Sequence, residues 1–200
     1  MLARKKVKHL YLGIESGLDD VLKFMKKDHD LAQAYQAIDR LHEAGLIYDA
    51  HIMTGVAGKG RGMENAEALA QFLNRTNPAH VVNFSMFLHK EVPLYQDIRQ
   101  GTFAPADELE TIREEYHLIE RIAPEKAGAN ILYDGFHDFI HVRVRGHLPG
   151  DKEKMLAKLN GIIQEYEGKE PVYSFVQGEC PDLEYCDDGK AVWDMDRKTS

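Results

Sequence analysis

Three short apolar runs in this chain end in residues that can do chemistry. VKHLYLGI leads into Glu15-Ser16-Gly17, DAHIMTGV carries His51 two residues before Met53 and reaches Gly55, and HVVNFSMFL alternates Asn83, Ser85 and Phe87. A carboxylate, hydroxyls and an imidazole at the carboxyl ends of strands can grip a polar ligand, because ligands of parallel α/β folds bind at those ends. Each residue also has a plain structural role. Glu15 and Ser16 suit the cap of a following helix, a lone His51 suits a hydrogen-bonded interior position, and Asn83 and Ser85 suit a water-facing surface. The stretch GVAGKGRG offers backbone N–H groups for an anion, with Lys59 and Arg61 for charge. It fits neither the phosphate loop, since no Ser or Thr follows the lysine, nor the dinucleotide fingerprint, so a flexible turn is its default reading.

The elements that must position these residues follow from periodicity. A buried strand from Val7 to Ile14 gives way to a helix with Leu18, Val21, Leu22 and Met25 at helical spacing, then to a second helix from Asp30 that Gly45 stops. A strand over 49–56 follows, then a helix with Ala66, Leu69, Phe72 and Leu73 on its apolar face, ended by Asn77-Pro78, then a strand over 80–88. This βαβαβ order predicts right-handed crossovers and a parallel sheet, part of a barrel or open. After Pro93 the pattern changes to a loop, an acidic amphipathic helix around 107–122, strand-like runs at 131–133 and 139–144, and a last helix capped by Asp151. The expected division is a half-barrel over 1–104, a helical and short-strand extension packed on it over 105–167, and a polar tail over 168–200.

Composition narrows the function. Lys and Arg total 25 against 33 Asp and Glu, a formal charge of −8, which gives no strong signal for gripping a nucleic-acid backbone. The basic start MLARKKVKHLYLG is too briefly apolar for a leader or a membrane span, so a cytoplasmic protein is expected. Cys180 and Cys186, the only two cysteines, are too few for a disulfide framework or a cluster site. His137 and His141, without a carboxylate partner in sequence, make a weak metal pair.

Several ordered segments together carry a family likeness. LYLGIESGLDDVLKFMKK resembles the fourth strand and following helix of radical S-adenosylmethionine enzymes, HIMTGVAGKG the fifth strand, VVNFSMFLHKEVPLYQDIRQGTF the sixth, and HLPGDKEKML a helix start beyond the barrel. The likeness leans toward the oxygen-independent coproporphyrinogen III oxidase-like branch and related Fe–S oxidoreductases. It implies the C-terminal half of a TIM-type barrel that binds S-adenosylmethionine beside a [4Fe–4S] cluster and abstracts hydrogen from a small-molecule substrate. Glu15, with Ser16 next to it, falls where the family bonds the cofactor, and Lys27 falls where a cation holds its charged end. His51 lies near the ribose, Met53 packs on the adenine beside the Gly55 backbone, and Ser85 lies near the adenine or substrate. Gly58 stands where an acidic residue is usual, and Phe139-Ile140 where a Ser-Asn pair is usual.

The family's CxxxCxxC motif does not occur in this sequence. Three thiolates are needed to hold the cluster, so no metal site is expected in this chain and turnover by it alone is not expected. The catalytic residue is therefore unassigned. Two other readings stand beside this one. The first is a non-catalytic assembly module that covers its sheet edges by self-association or by docking on an N-terminal half-barrel. The second is an unrelated α/β enzyme that holds phosphate in the loop over 55–62.

Overall fold

Alternation of apolar residues along short β-branched runs builds the sheet, and capped amphipathic helices cover one side of it. The computed structural model describes residues 7–175 and the backbone of 186–187 and 190–191. The strands are β1 (His9–Glu15), β2 (Ile47–Thr54), β3 (His80–Ser85), β4 (Ile131–His137) and β5 (Val142–Leu148). The helices are α1 (Asp19–Phe24), α2 (Leu31–Glu43), α3 (Gly62–Thr76), α4 (Pro93–Arg99), α5 (Glu108–Arg121) and α6 (Lys152–Tyr166). A capping box between Asp30 and Gln33 starts α2, and Gly45 ends it at φ 70°. Asn77, left-handed at φ 48°, ends α3 just before Pro78.

The sheet order is β1-β2-β3-β4-β5; the first four strands are parallel and β5 is antiparallel to β4. Leu12, Ile14, Ala50, Ile52, Val81 and Tyr133 point into a core shared with α2, α3, α5 and α6. By the two-residue period, Tyr11, His51, Phe84 and Phe136 point the other way, and no helix among the described residues covers them. Their rings run in a row across four strands, with centroids 5.0 Å (Tyr11 to His51), 5.9 Å (His51 to Phe84) and 5.7 Å (Phe84 to Phe136) apart. Arg143 on β5 closes the row with its guanidinium 4.7 Å from the Phe136 ring centre. A parallel sheet with helices outside and its inner face bare is a wall of a partial TIM-type barrel.

Three features depart from the sequence reading. The segment after Pro93 begins with a helix, since Pro93 fits its first turn and Tyr95 and Ile98 are buried. β3 ends at Ser85; beyond it Leu88 bridges to Phe175 and joins a second apolar cluster with Val56, Met86 and Phe103. Phe139-Ile140 lies in a 3-10 turn over Asp138–Ile140 that, with His141 at φ 53°, reverses the chain between β4 and β5. The sheet runs on through both of those strands, across the 104/105 boundary. Cys186–Asp187 pairs with Lys190–Ala191, while Cys180 and most of 168–200 beyond Phe175 lie outside the described residues.

Candidate functional site

The carboxyl end of β1 is held in an uncommon shape. Glu15 has φ 61° and follows a register shift against β2, which swings its carboxylate back over Gly13 on the bare face. A Cβ on Gly13 would lie 2.6 Å from Glu15 Oε1, so glycine is what leaves the space. Lys27 Nζ meets the same oxygen at 3.1 Å, the chain having turned after α1 through Lys26 at φ 55°. Both side chains remain partly exposed and open to a ligand. His51 and Met53 share this face on β2, and Tyr11 and Phe84 flank the His51 ring.

Ser16 and Ser85 are placed differently. Ser16 is fully buried; its hydroxyl donates to Asn65 Oδ1 at 2.7 Å and accepts from the Leu18 N–H at 3.1 Å, so it fixes the turn between β1 and α1 from beneath the strand end, while α1 itself starts at Leu18 without a side-chain cap. Ser85 pairs in register with Thr54 and donates to Glu108 Oε1 at 3.2 Å on the helix-covered face. Met53 pairs with Phe84 on the opposite face, so the sheet itself separates Ser85 from Met53 and Glu15. Asn83 likewise turns to the helices. Glu15, Lys27, His51 and Met53 are the group that shares the open surface, with the Gly55 backbone at the rim.

Three buried carboxylates of α5 went unseen in the sequence reading, and they secure the carboxyl ends of all four parallel strands. Glu108 accepts from Ser85 on β3, from His137 on β4 at 3.0 Å, and from Ser174. Glu115 takes Asn83 at 3.1 Å, the Tyr133 hydroxyl at 3.0 Å and the other His137 nitrogen at 3.1 Å. Glu114 accepts the Gly55 N–H at 2.8 Å and Asn65 Nδ2 at 2.7 Å. Asn65 in turn accepts from Ser16 and from the Gly17 N–H at 3.1 Å. Burial works against a charged His137, but the bonds to Glu108 and Glu115 outweigh it and hold its pKa up to about 10. Burial likewise lifts Glu114 to about 7, against the lowering effect of Asn65 and the Gly55 amide. The signal was in the helix itself. Glu108, Ile112, Glu115, Ile119 and Ile122 share one stripe, so carboxylates stand at core spacing.

Several amides of the glycine-rich loop are already bonded within the protein. Gly58 N–H donates to Gly55 O, Lys59 N–H to Ala104 O, Arg61 N–H to Gly58 O, and Gly60 N–H to the Glu110 carboxylate. Arg61 is claimed by Asp20 and Glu64. The phosphate-binding alternative is left with fewer donors by these bonds. Among the described residues no group of three His, Cys, Asp or Glu can hold a metal ion; His137 is buried between glutamates and His141 lies in the turn. No helix among them is long and apolar enough to cross a membrane.

The family model of the Radical SAM superfamily matches residues 1–73, the stretch that holds β1, Glu15, Lys27, His51, Met53 and Gly55. This segment is similar to the radical SAM superfamily. A tRNA uridine(34) acetyltransferase of Methanocaldococcus infernus is 28% identical over 102 residues, 50% of this chain and 19% of that protein. The solved structure of Methanocaldococcus infernus Elp3 with an N-terminal deletion aligns with 82% of this chain and 37% of its own, at a TM-score of 0.59 and 18% identity. That second likeness concerns the fold, and it agrees with a partial barrel. The chain thus spans about a fifth of the curated relative and over a third of the solved one. The radical SAM level is supported; the coproporphyrinogen oxidase branch is not what these relatives represent.

The residues fit the two halves of the radical SAM cofactor set unequally. The Glu15 carboxylate, set by a left-handed backbone and paired with Lys27 on an open strand end, offers with it both an acceptor and a cation, which suits the amino acid end of S-adenosylmethionine. A [4Fe–4S] cluster finds no ligand set among the described residues.

Proposed function

We propose that this chain supplies the S-adenosylmethionine-binding and substrate-facing wall of a radical SAM oxidoreductase. The observation that carries the reading is the Glu15–Lys27 pair, folded over Gly13 at the carboxyl end of β1 beside the bare inner face. When bound, the cofactor supplies hydrogen-atom abstraction from an organic substrate. The chain's own residues bind and orient. Glu15 accepts from the cofactor's amine, Lys27 pairs with its carboxylate, His51 meets the ribose, and Met53 with the Gly55 backbone packs against the adenine. Ser16 and Ser85 contribute from behind, by holding the strand ends on which those contacts sit. The ligands of the cluster are not provided by the described residues.

The substrate faces the row Tyr11, His51, Phe84 and Phe136, which suits a ring system with a polar edge. Coproporphyrinogen is the substrate class implied by the branch likeness, and the tRNA uridine(34) acetyltransferase relative points to a tRNA uridine as the second candidate. The bare face and β1, the edge strand of the sheet among the described residues, also suit a partner wall, either an N-terminal half-barrel or a second copy. A reduced cytoplasmic setting accompanies this chemistry.

Titration of 15N-labelled chain with S-adenosylmethionine tests the reading. Shifts confined to Glu15, Lys27, His51, Met53 and Gly55, and lost in Lys27→Met, support it. No response at millimolar cofactor, or shifts centred on the loop over 58–62, overturn it.

A further inference from the structure

We propose that Glu114 on α5, acting through Asn65, is a positioning residue that fixes the β1 and β2 strand ends relative to each other and so sets the cofactor site from the opposite face of the sheet. The proposal rests on the reading above, because those two strand ends carry the assigned contacts.

One carboxylate joins the two ends. Glu114 Oε2 accepts the Gly55 N–H at 2.8 Å directly, and Oε1 reaches Gly17 and Ser16 through Asn65, whose Nδ2 donates to it at 2.7 Å. Asn65 Oδ1 then takes the Ser16 hydroxyl at 2.7 Å and the Gly17 N–H at 3.1 Å. Ser16 and Gly17 directly follow Glu15, and Gly55 lies two residues beyond Met53. Glu114 and Asn65 are fully enclosed, so water offers these backbone groups no substitute.

The geometry permits only one arrangement of donors and acceptors. A backbone N–H can only donate, so Gly17 fixes the Asn65 amide orientation and Gly55 fixes an acceptor at position 114. Close approach is built in as well. A Cβ on Gly62 would lie 3.0 Å from Glu114 Oε2, and one on Gly17 would lie 2.5 Å from Leu69 N. The helix pair α3 and α5 therefore sits tight under both loops. Glu114 touches none of the residues assigned to cofactor contact except the Gly55 amide, which separates it from a binding residue proper.

The polarity of the relay can be reversed without changing its shape, and that provides the test. Glu114→Gln puts an N–H where a neighbour already donates. Asn65→Asp sets carboxylate against carboxylate. In the double variant the glutamine introduced at position 114 donates to the carboxylate introduced at position 65 and still accepts from Gly55. That carboxylate still accepts from Ser16 and Gly17, and the net charge of the pair is unchanged. The readouts are native-state amide exchange at Gly17 and Gly55 and an NMR titration with S-adenosylmethionine.

In E114Q we expect both amides to lose protection together by about tenfold or more and cofactor affinity to fall about tenfold, from the lost buried hydrogen bond, with α2 and β5 exchange nearly unchanged. The double variant should recover both. A change at Gly55 alone, wild-type affinity in folded E114Q, or a folded double variant without recovery overturns the proposal. Should E114Q not fold, the double variant decides: folding with restored binding supports the relay, and failure to fold overturns it. If wild-type chain shows no cofactor response while Gly17 and Gly55 still change together, it is the cofactor reading that has failed, and the positioning role with it.

Discussion

Replacing His137 with methionine should destabilise the protein by about 3–5 kcal/mol at neutral pH, the usual cost of stranding a buried charge partner. In the native state the ring is fully buried, bonded at 3.0 Å to Glu108 and 3.1 Å to Glu115. Methionine has similar bulk but no donor, so two enclosed carboxylates lose their shared cation. An upper limit comes from the rise in His137 pKa from 6.5 to about 10. At about 1.4 kcal/mol per unit this corresponds to about 5 kcal/mol. The sign follows from linkage. A raised native pKa gives stability that is fully present below pH 6.5 and is lost as pH rises through 10. Urea unfolding of wild type and H137M at pH 7 and at pH 10.5 measures both parts. The difference should be large at pH 7 and should shrink at pH 10.5, where the wild-type ring is neutral. A difference below about 1 kcal/mol at pH 7, less than a typical buried pair, or one that grows with pH, refutes the imidazolium bridge.

Gly135→Ala should be at least as damaging, since its Cβ would fall 1.8 Å from Glu115 Oε1; a melting temperature within two degrees or so of wild type, about the resolution of a small ΔΔG, would contradict that contact. Glu114, raised from 4.5 to about 7, makes stability decline as pH climbs between those values, by about 3 kcal/mol in total. Its 13C carboxyl titration should show a midpoint near 7, and a midpoint near 4.5 would remove the burial argument. Lys27→Met should cost under about 1 kcal/mol of stability, because the Glu15 pair is partly exposed, yet abolish most cofactor-induced shifts. Equal loss of both in chemical denaturation and titration would make the pair structural.

Much of the wall was legible in the chain. Alternation located β1, β2 and β3, Gly45 and Asn77-Pro78 marked helix ends, and several ordered segments pointed to the superfamily that residues 1–73 match. The face of each polar residue was less legible. Asn83, Ser85 and Phe87 alternate on paper, but Ser85 belongs to the helix side because α5 supplies Glu108 there, a partner 23 positions away. The acidic helix misled for a related reason. Carboxylates usually mark the wet face, and here three of them are sealed inside because asparagine, histidine, tyrosine and backbone amides wait for them. Asp151 does precede α6, but its side chain accepts from the His147 N–H at 2.7 Å instead of capping the helix. Such choices depend on partners that no local window contains.

The position of α5 in the chain has a consequence for biosynthesis. Residues that arrive after β3 complete the bonding of groups made long before: the Gly55 amide and the Asn65 side-chain amide, which already holds Gly17. A ribosome-bound intermediate that stops short of Glu108 already contains three strands and α3, yet the Gly55 amide, Asn65 Nδ2, Asn83 Nδ2 and the Ser85 hydroxyl still lack the carboxylates that accept from them in the finished fold. Early strands should therefore remain loosely joined during synthesis and tighten in one step when the acidic segment emerges. Protease nicks between Arg99 and Glu108 should undo the whole assembly, not just its far half.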